Sequence, residues 1–207
     1  MVKNKNKEIQ ELEKEIKKLK KLVHHDQMTG LYNRIGFRED VIGYLKELEV
    51  AHRRGAKNRR SLRIGNLSMV FFDLNDLKKL NDKLGHVIGD KAIIAFAKAL
   101  KRGVRNIDIP CRWSGDEFVV ALIGVDRKDA EIIVEKIKQA VSKTIFNGFV
   151  GRQRQISFSF GVSSVLDKNR KPSFVGDLDE LINEADGKMY VYKKRLKSLL
   201  NKPRSLI

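Results

Sequence analysis

The sequence predicts an α/β sandwich in which helices pack on a mainly antiparallel central sheet, with a separate helix at the N-terminus. Three observations predict it. Short apolar runs interleave with amphipathic helical stretches in the order βαββαβ. Two of the runs are joined by a turn of a few residues, SGDE, which makes a hairpin and therefore antiparallel neighbours. Residues 1–25 carry a helical repeat of their own, ahead of the first strand.

That first helix places Ile9, Leu12, Ile16, Leu19 and Val23 at alternating spacings of three and four, the heptad pattern, with Ile at a and Leu at d. Lysines and glutamates fill the rest. This choice of residues favours a parallel two-stranded coiled coil, although a single helix docked on its own domain would also fit about two heptads. Residues 26–34 (DQMTGLYNR) read as a cap and turn. A second helix is expected from near Asn33 to about Arg54, its apolar face formed by Phe37, Val41, Tyr44, Leu45 and Leu48. Residues 52–66 read as a loop. Residues 67–74 (LSMVFFDL) form a short apolar run ending in an acid, which suits a buried strand. A polar helical stretch over 76–83, a turn at Gly85 and His86, and a helix from about Gly89 to Val104 follow. Residues 112–123 read as the hairpin, 126–143 as an amphipathic helix, 155–165 (QISFSFGVSSV) as a half-buried strand and 177–196 as a final helix.

With 207 residues and 42% hydrophobic content, the chain is long enough for one domain and an appendage, and too apolar to be wholly disordered. No apolar run approaches the roughly 18 residues of a membrane span. The N-terminus lacks the apolar stretch of a secretory signal, and the single cysteine, Cys111, fits a reducing cytoplasm. The net charge of +17 invites a nucleic-acid or anionic-lipid partner. Its distribution argues otherwise. Residues 1–25, 50–67 and 193–207 together hold +16 of it, leaving a nearly neutral body. Solvated faces and a loop explain such runs, and no nucleic-acid motif accompanies them.

Two acidic positions stand out chemically. Asp73 ends an apolar strand, and Asp116 and Glu117 occupy the hairpin tip. If those strands are neighbours, three carboxylates converge at one end of the sheet, offering the oxygen ligands that Mg²⁺ prefers. A pair of such ions can activate an attacking oxygen and stabilise a leaving one. The plainer reading is that Asp73 caps the helix after it.

The spacing beyond Asp73 adds a resemblance. The segments FFDLNDLKKLNDKLGHVIGD and RWSGDEF resemble the GGDEF family of diguanylate cyclases. DQMTGLYNR resembles the family's D-x-L-T-G-L-x-N-R motif. Ala185, Asp186, Met189 and Tyr190 resemble its closing A-D-x-x-M-Y helix. These motifs occur in the family's order between Asp26 and Lys197. The resemblance implies a nucleotidyl-cyclase, palm-like sandwich divided as an N-terminal helix over 1–25 (a short coiled-coil stalk), a cyclase domain over 26–198 and a basic tail over 199–207. It implies a dimer, formed through the N-terminal helix, in which two GTP molecules are condensed to cyclic di-GMP with release of two pyrophosphates. Asp73, Asp116 and Glu117 match the catalytic acids. With the Leu74 carbonyl they would hold two Mg²⁺ per site, Mn²⁺ being the alternative. Ser114 and Gly115 would form the turn against which the nucleotide lies. Asn81 and Asp90 match the pair on the guanine edge, where an aspartate accepts from both N1–H and the exocyclic amine and so rejects adenine. Lys78, Lys193 and Lys197 would face phosphates, and the amides of Asp76 and Leu77 at a helix start would cradle them. Arg105 and Asp108 match the R-x-x-D site at which the product inhibits.

Four departures from the pattern are visible. Ser114 stands at the first glycine of the signature, where glycine permits unusual dihedrals. Asn75 replaces the second acid of a D-x-D while keeping an oxygen. Asp76 stands where an aromatic is frequent, and Lys197 keeps a cation but loses arginine's fork. Since the three acids remain, an active enzyme is expected. A catalytically weak GTP- or cyclic di-GMP-binding regulator is the alternative, and nucleic-acid binding through the basic segments is a third. His24, His25 and His86 are expected to have no metal or base role. Trp113 is expected to pack at the hairpin, and Cys111 to be a small buried hydrophobe.

Overall fold

A computed structural model describes residues 2–53, 65–142, 146–147, 153–154, 156–166 and 178–200. The expected basic loop therefore lies almost wholly outside the described residues, as does the tail beyond residue 200. Six helices are described, α1 (Val2–His24), α2 (Arg34–Arg53), α3 (Leu77–Leu84), α4 (His86–Gly103), α5 (Arg127–Ser142) and α6 (Leu178–Leu200). The strands are β1 (Leu67–Leu74), β2 (Ile109–Ser114), β3 (Glu117–Ile123), the two-residue pair β4 (Phe146–Asn147) and β5 (Gln153–Arg154), and β6 (Phe158–Ser164). The main sheet has the order β2-β3-β1-β6, and every neighbouring pair is antiparallel.

The pleat of β1 sorts the core into two layers. Val70, Phe72 and Leu74 face α4 and α5, whose Ile93, Phe96, Leu100, Val134 and Ile137 complete one cluster. Leu67, Met69 and Phe71 face the other way, onto Phe37, Val41, Leu45 and Leu48 of α2 and Leu181, Ile182, Ala185 and Met189 of α6. All eight residues of β1 are buried, so a continuous apolar run is what a central, double-covered strand requires. Phe96 sits at the middle of the first cluster, with ring centroids 4.8 Å from Phe118, 5.4 Å from Phe158 and 5.9 Å from Phe72.

Several boundaries differ from expectation for local reasons. Helix α4 begins at His86, three residues early, because Gly85 at φ 82° turns the chain sharply enough to start it there. Asn33 and Asp126 are caps rather than helix members. Their side-chain oxygens accept from the amides of Gly36 (3.0 Å) and Asp129 (2.9 Å). The β4–β5 pair was not foreseen, being too short to show a period. Trp113 packs edge-on against Phe37, with the Arg34 guanidinium 4.4 Å over its ring. Cys111 is fully buried, and burial pushes its thiol pKa far up, as an inert core cysteine requires.

The last turn of α1 is clamped to α2. Asn33 donates from Nδ2 to the Val23 carbonyl (2.6 Å) and from its amide to the His24 carbonyl (2.8 Å). His24 meets an acid, with Nε2 3.2 Å from Glu39. Gly36 lies so close that a Cβ there would come within 2.5 Å of the His24 Cβ. Beyond this clamp the heptad residues Ile9, Leu12, Ile16 and Leu19 remain about half exposed, as does Leu22, which the heptad reading left out.

Candidate functional site

Strands β1 and β3 are neighbours, and their register places Asp73 directly opposite Glu117. Asp116 is brought to the same end, since the Leu74 amide donates to its backbone carbonyl at 3.1 Å. Asp73 is buried, while Asp116 and Glu117 are half-buried. Asp73 does not cap the following helix. Its Oδ1 takes a hydrogen bond from Lys193 Nζ on α6 at 2.6 Å. The Ser114 hydroxyl donates to Glu117.

The hairpin tip is two residues, Gly115 and Asp116, between the paired Ser114 and Glu117. Neither tip residue has a positive φ, so the turn is not the primed kind whose twist matches the strands. A register shift between Arg112 and Ser114 absorbs the mismatch. Ser114 also has an ordinary φ, so the serine costs the backbone nothing where glycine was expected. A Cβ at Gly115 would meet nothing within 4 Å, which leaves open space beside the acids.

Helix α3 starts beside this edge. Asp76 adopts φ 58°, the left-handed region, and is alone among described non-glycine residues in having a positive φ. Its side chain does not cap the helix; it pairs with Lys79 at 2.7 Å. The first helical bond runs from the Leu80 amide to the Asp76 carbonyl, so the amides of the first turn have no intrahelical acceptor. A left-handed residue leading into such a turn makes a concave array of N–H groups suited to anions. Leu77 is buried beneath the turn and Lys78 is exposed.

Asn81 Oδ1 is buried and lacks a hydrogen-bond partner. It packs on Gly89, where a Cβ would approach within 1.8 Å, and Asp90 follows, exposed, on the same turn of α4. The fold therefore joins Asn81 to the Asp90 turn and leaves an acceptor to be satisfied. Asn75 behaves otherwise than expected. Its Oδ1 accepts from Ser159 Oγ (2.9 Å), so the oxygen is engaged and the buried Nδ2 is left unpartnered.

Lys193 and Lys197 lie one turn apart on α6, but only Lys193 reaches an acid, and Lys197 is exposed. Arg105 and Asp108 lie elsewhere, at the turn between α4 and β2, closed on each other. Asp108 accepts from the Arg105 amide (2.8 Å), from its guanidinium (2.9 Å) and from the Ile123 amide (3.1 Å). The Asp108 side chain is wholly buried, whereas that of Arg105 is 55% exposed.

Two functional candidates escaped the sequence reading. Asp186, seen only as part of a motif, has its carboxyl raised above the usual range by burial and by the charge of Asp73. Arg112 bridges the chain segment after α1 to the hairpin tip. Its Nη1 lies 3.2 Å from Asp26 Oδ2, and its Nε and Nη2 donate to the Gly115 carbonyl at 3.1 and 2.9 Å. An arginine three residues before an acidic turn and an aspartate early in the chain give no sequence signal of pairing.

The donor set fits a hard divalent cation. It is all oxygen, gathered at one sheet end, and Asp73 already attracts an ammonium there. Among the described residues no three acidic, histidine or cysteine side chains stand close enough to hold an ion unaided.

A family model described as "Diguanylate cyclase, GGDEF domain" matches residues 23–198. The chain is 34% identical over 169 residues to the response regulator PleD of Caulobacter vibrioides, a match covering 81% of this chain and 33% of PleD. It is 27% identical over 180 residues to the diguanylate cyclase VdcA of Vibrio cholerae, covering 86% of this chain and 48% of VdcA. The chain thus spans between a third and a half of the length of these relatives. Among solved structures, the coiled coil and GGDEF domain of DgcB from Caulobacter crescentus, in complex with cyclic di-GMP, matches with a TM-score of 0.73. That match has 19% identity and covers 93% of this chain and 92% of the other.

Proposed function

The chain belongs to the GGDEF diguanylate cyclase family, and on that premise we propose that it condenses two GTP molecules into cyclic di-GMP. The observation that carries the proposal is the convergence of Asp73, Asp116 and Glu117 at one sheet end, beside the uncapped start of α3. In this reading the 3′-hydroxyl of each GTP attacks the α-phosphorus of the other. One O–P bond forms, the bond to the β-phosphate oxygen breaks, pyrophosphate leaves and the hydroxyl proton passes to solvent. The step occurs twice.

The chain's residues divide the work. Asp73, the Leu74 carbonyl, Asp116 and Glu117 would hold the divalent metal ions that enzymes of this family use. Bound there, such ions supply charge neutralisation on the triphosphate and polarisation of the attacking oxygen. Lys193 accompanies them: when the triphosphate arrives, its ammonium can turn from Asp73 to a phosphate oxygen. The amides of Asp76 and Leu77, with Lys78, receive the terminal phosphates. Lys197, exposed one turn beyond Lys193, offers a second cation. Asn81 Oδ1 is a preformed acceptor for a guanine N–H donor, and Asp90 can accept two more, so adenine would leave buried groups unpaired. Ser114 holds Glu117, and Gly115 leaves room for the nucleotide.

Each chain presents one such site, so two copies must face each other. The exposed heptad stripe of α1 is the surface proposed to pair them. Product inhibition is assigned to Arg105, which offers its exposed guanidinium while Asp108 holds it in place. No helix among the described residues is long and apolar enough to cross a membrane.

The test is incubation of purified protein with GTP and Mg²⁺, with chromatographic separation of the nucleotides. Cyclic di-GMP is expected and should be lost in Asp116→Ala. Its absence from the wild-type reaction at every protein concentration would refute the proposal, and its persistence in the variant would refute the assignment of the acids.

A further inference from the structure

Arg112 occupies a position that metal and nucleotide binding do not account for. Its side chain is largely buried, at 14% exposure; Nη1 lies 3.4 Å from the Met28 Sδ, and the oxygen acceptors of its guanidinium are in two places. One is Asp26, two residues beyond the end of α1. The other is the Gly115 carbonyl, held by Nε at 3.1 Å and Nη2 at 2.9 Å. That carbonyl belongs to the Gly115–Asp116 peptide. A planar peptide gripped at its oxygen has its whole plane set, and with it the φ-axis on which Asp116 turns. From the far side the Leu74 amide holds the carbonyl of Asp116. Asp116 is thus suspended between β1 and Arg112.

Asp26 is equally committed. The Thr29 amide (2.8 Å) and hydroxyl (2.7 Å) bind its Oδ1, and Arg112 takes its Oδ2 at 3.2 Å. Although burial opposes ionisation, these donors hold the Asp26 carboxyl below the usual carboxylate value. The backbone reinforces the link, since the Arg112 amide donates to the Tyr32 carbonyl (2.9 Å) and the Tyr32 amide to the Pro110 carbonyl (3.1 Å). On its other side the same segment is clamped to the last turn of α1 through Asn33.

We propose that Arg112 is a positioning residue that ties the orientation of the signature turn to the end of α1, with Asp26 as its anchor. Lysine could supply the charge but not the fork that grips Asp26 and Gly115 at once. The inference rests on the reading of Asp116 as a metal-binding acid, and its test is built to separate the two. Trp113, the chain's one tryptophan, lies between Arg112 and Ser114 and reports on the turn without any turnover.

The experiment uses the full chain and the variants Arg112→Lys, Asp26→Asn and their combination, each checked for folding by thermal melting. Trp113 emission, and its change on adding Mg²⁺ with a non-hydrolysable GTP analogue, are read beside steady-state cyclic di-GMP formation. Both single variants are expected to shift the emission in the same direction. Each should also lower kcat at least tenfold with KM for GTP within about twofold, and raise the Mg²⁺ concentration needed for half-maximal rate. The double variant should be no worse than the worse single, because both act through one linkage. Wild-type emission in a folded Asp26→Asn, or losses that multiply in the double variant, would overturn the linkage. Full activity in Arg112→Lys would overturn the positioning role. An inactive wild type whose variants still shift Trp113 would leave the linkage standing and refute the reading of the acids.

Discussion

Asp108 shows how differently two residues of one motif can be built. Its carboxylate is wholly buried and takes hydrogen bonds from two backbone amides and one guanidinium, whereas Arg105 is half in solvent. Removing the acid strands the buried Ile123 amide and the part-buried Arg105 donors; removing the arginine leaves Asp108 its two amide donors and takes one partner from the Ile123 carbonyl. Asp108→Ala is therefore expected to lower unfolding free energy by about 2–3 kcal/mol in urea titration, against at most about 1 kcal/mol for Arg105→Ala. Relief of product inhibition in Arg105→Ala, at unchanged stability, is the outcome that supports a ligand role; in Asp108→Ala the same relief would be confounded by unfolding. At this scale the sequence names candidates and is silent about what they touch. Residue identity placed Asp73, Asp116 and Glu117 among the candidates. Nothing in the string of letters could show that Lys193 would lie on Asp73, or that the Asn75 oxygen would be taken by Ser159. Those contacts depend on which strands and helices become neighbours.

Helix α6 approaches the sheet closely because β6 carries Gly161 beneath it. A Cβ there would come within 2.1 Å of the Ala185 carbonyl oxygen and 2.3 Å of the Met189 amide nitrogen, both backbone atoms that cannot swing aside. Gly161→Ala must push the helix off the sheet. A loss of about 1–3 kcal/mol in stability is expected from such overpacking, read by chemical denaturation. Lys193 rides on the same helix two turns further on, so its 2.6 Å contact with Asp73 should lengthen and turnover fall with it. The elements themselves were largely legible in the sequence, because the long ones carry a clear period: the α2 face Phe37, Val41, Leu45 and Leu48 is buried as expected. What escaped was set by single backbone conformations. The early start of α4 follows from Gly85, and the left-handed turn into α3 falls on Asp76, whose place at a helix start is legible in the sequence but whose backbone conformation is not. The β4–β5 pair is too short for any period to show.

For the molecule as a whole, the heptad stripe on α1 is an exposed apolar row among the described residues. Ile9, Leu12, Ile16, Leu19 and Leu22 each stand about half exposed along one helix, more apolar surface in a row than a lone solvated helix gains by showing. Replacing Leu12 and Leu19 together by lysine should shift the sedimentation profile from dimer to monomer. It should also make cyclic di-GMP formation fall more steeply on dilution, with the melting temperature of the domain nearly unchanged. A dimer that survives this double substitution would place the pairing surface elsewhere. The positive charge bears on this too, since the same helix carries eight lysines against four glutamates over residues 1–25. Pairing through α1 should therefore strengthen with added salt as the repulsion is screened.

The clamp where α1 meets the domain also has a mechanical meaning. At 1.5 Å per residue, the 23 residues of α1 make an arm about 35 Å long. Its root is fixed by Asn33, Glu39 and the close-set Gly36, a few residues from the Asp26–Arg112 pair. A tilt of about 10° about that pivot would sweep the far tip through roughly 6 Å, while atoms 3–4 Å from the pivot would move by little more than about half an ångström. Such an arm would work as reduction gearing. Coarse displacement at one end would arrive near the root as a shift about as large as the difference between a good hydrogen bond and a broken one.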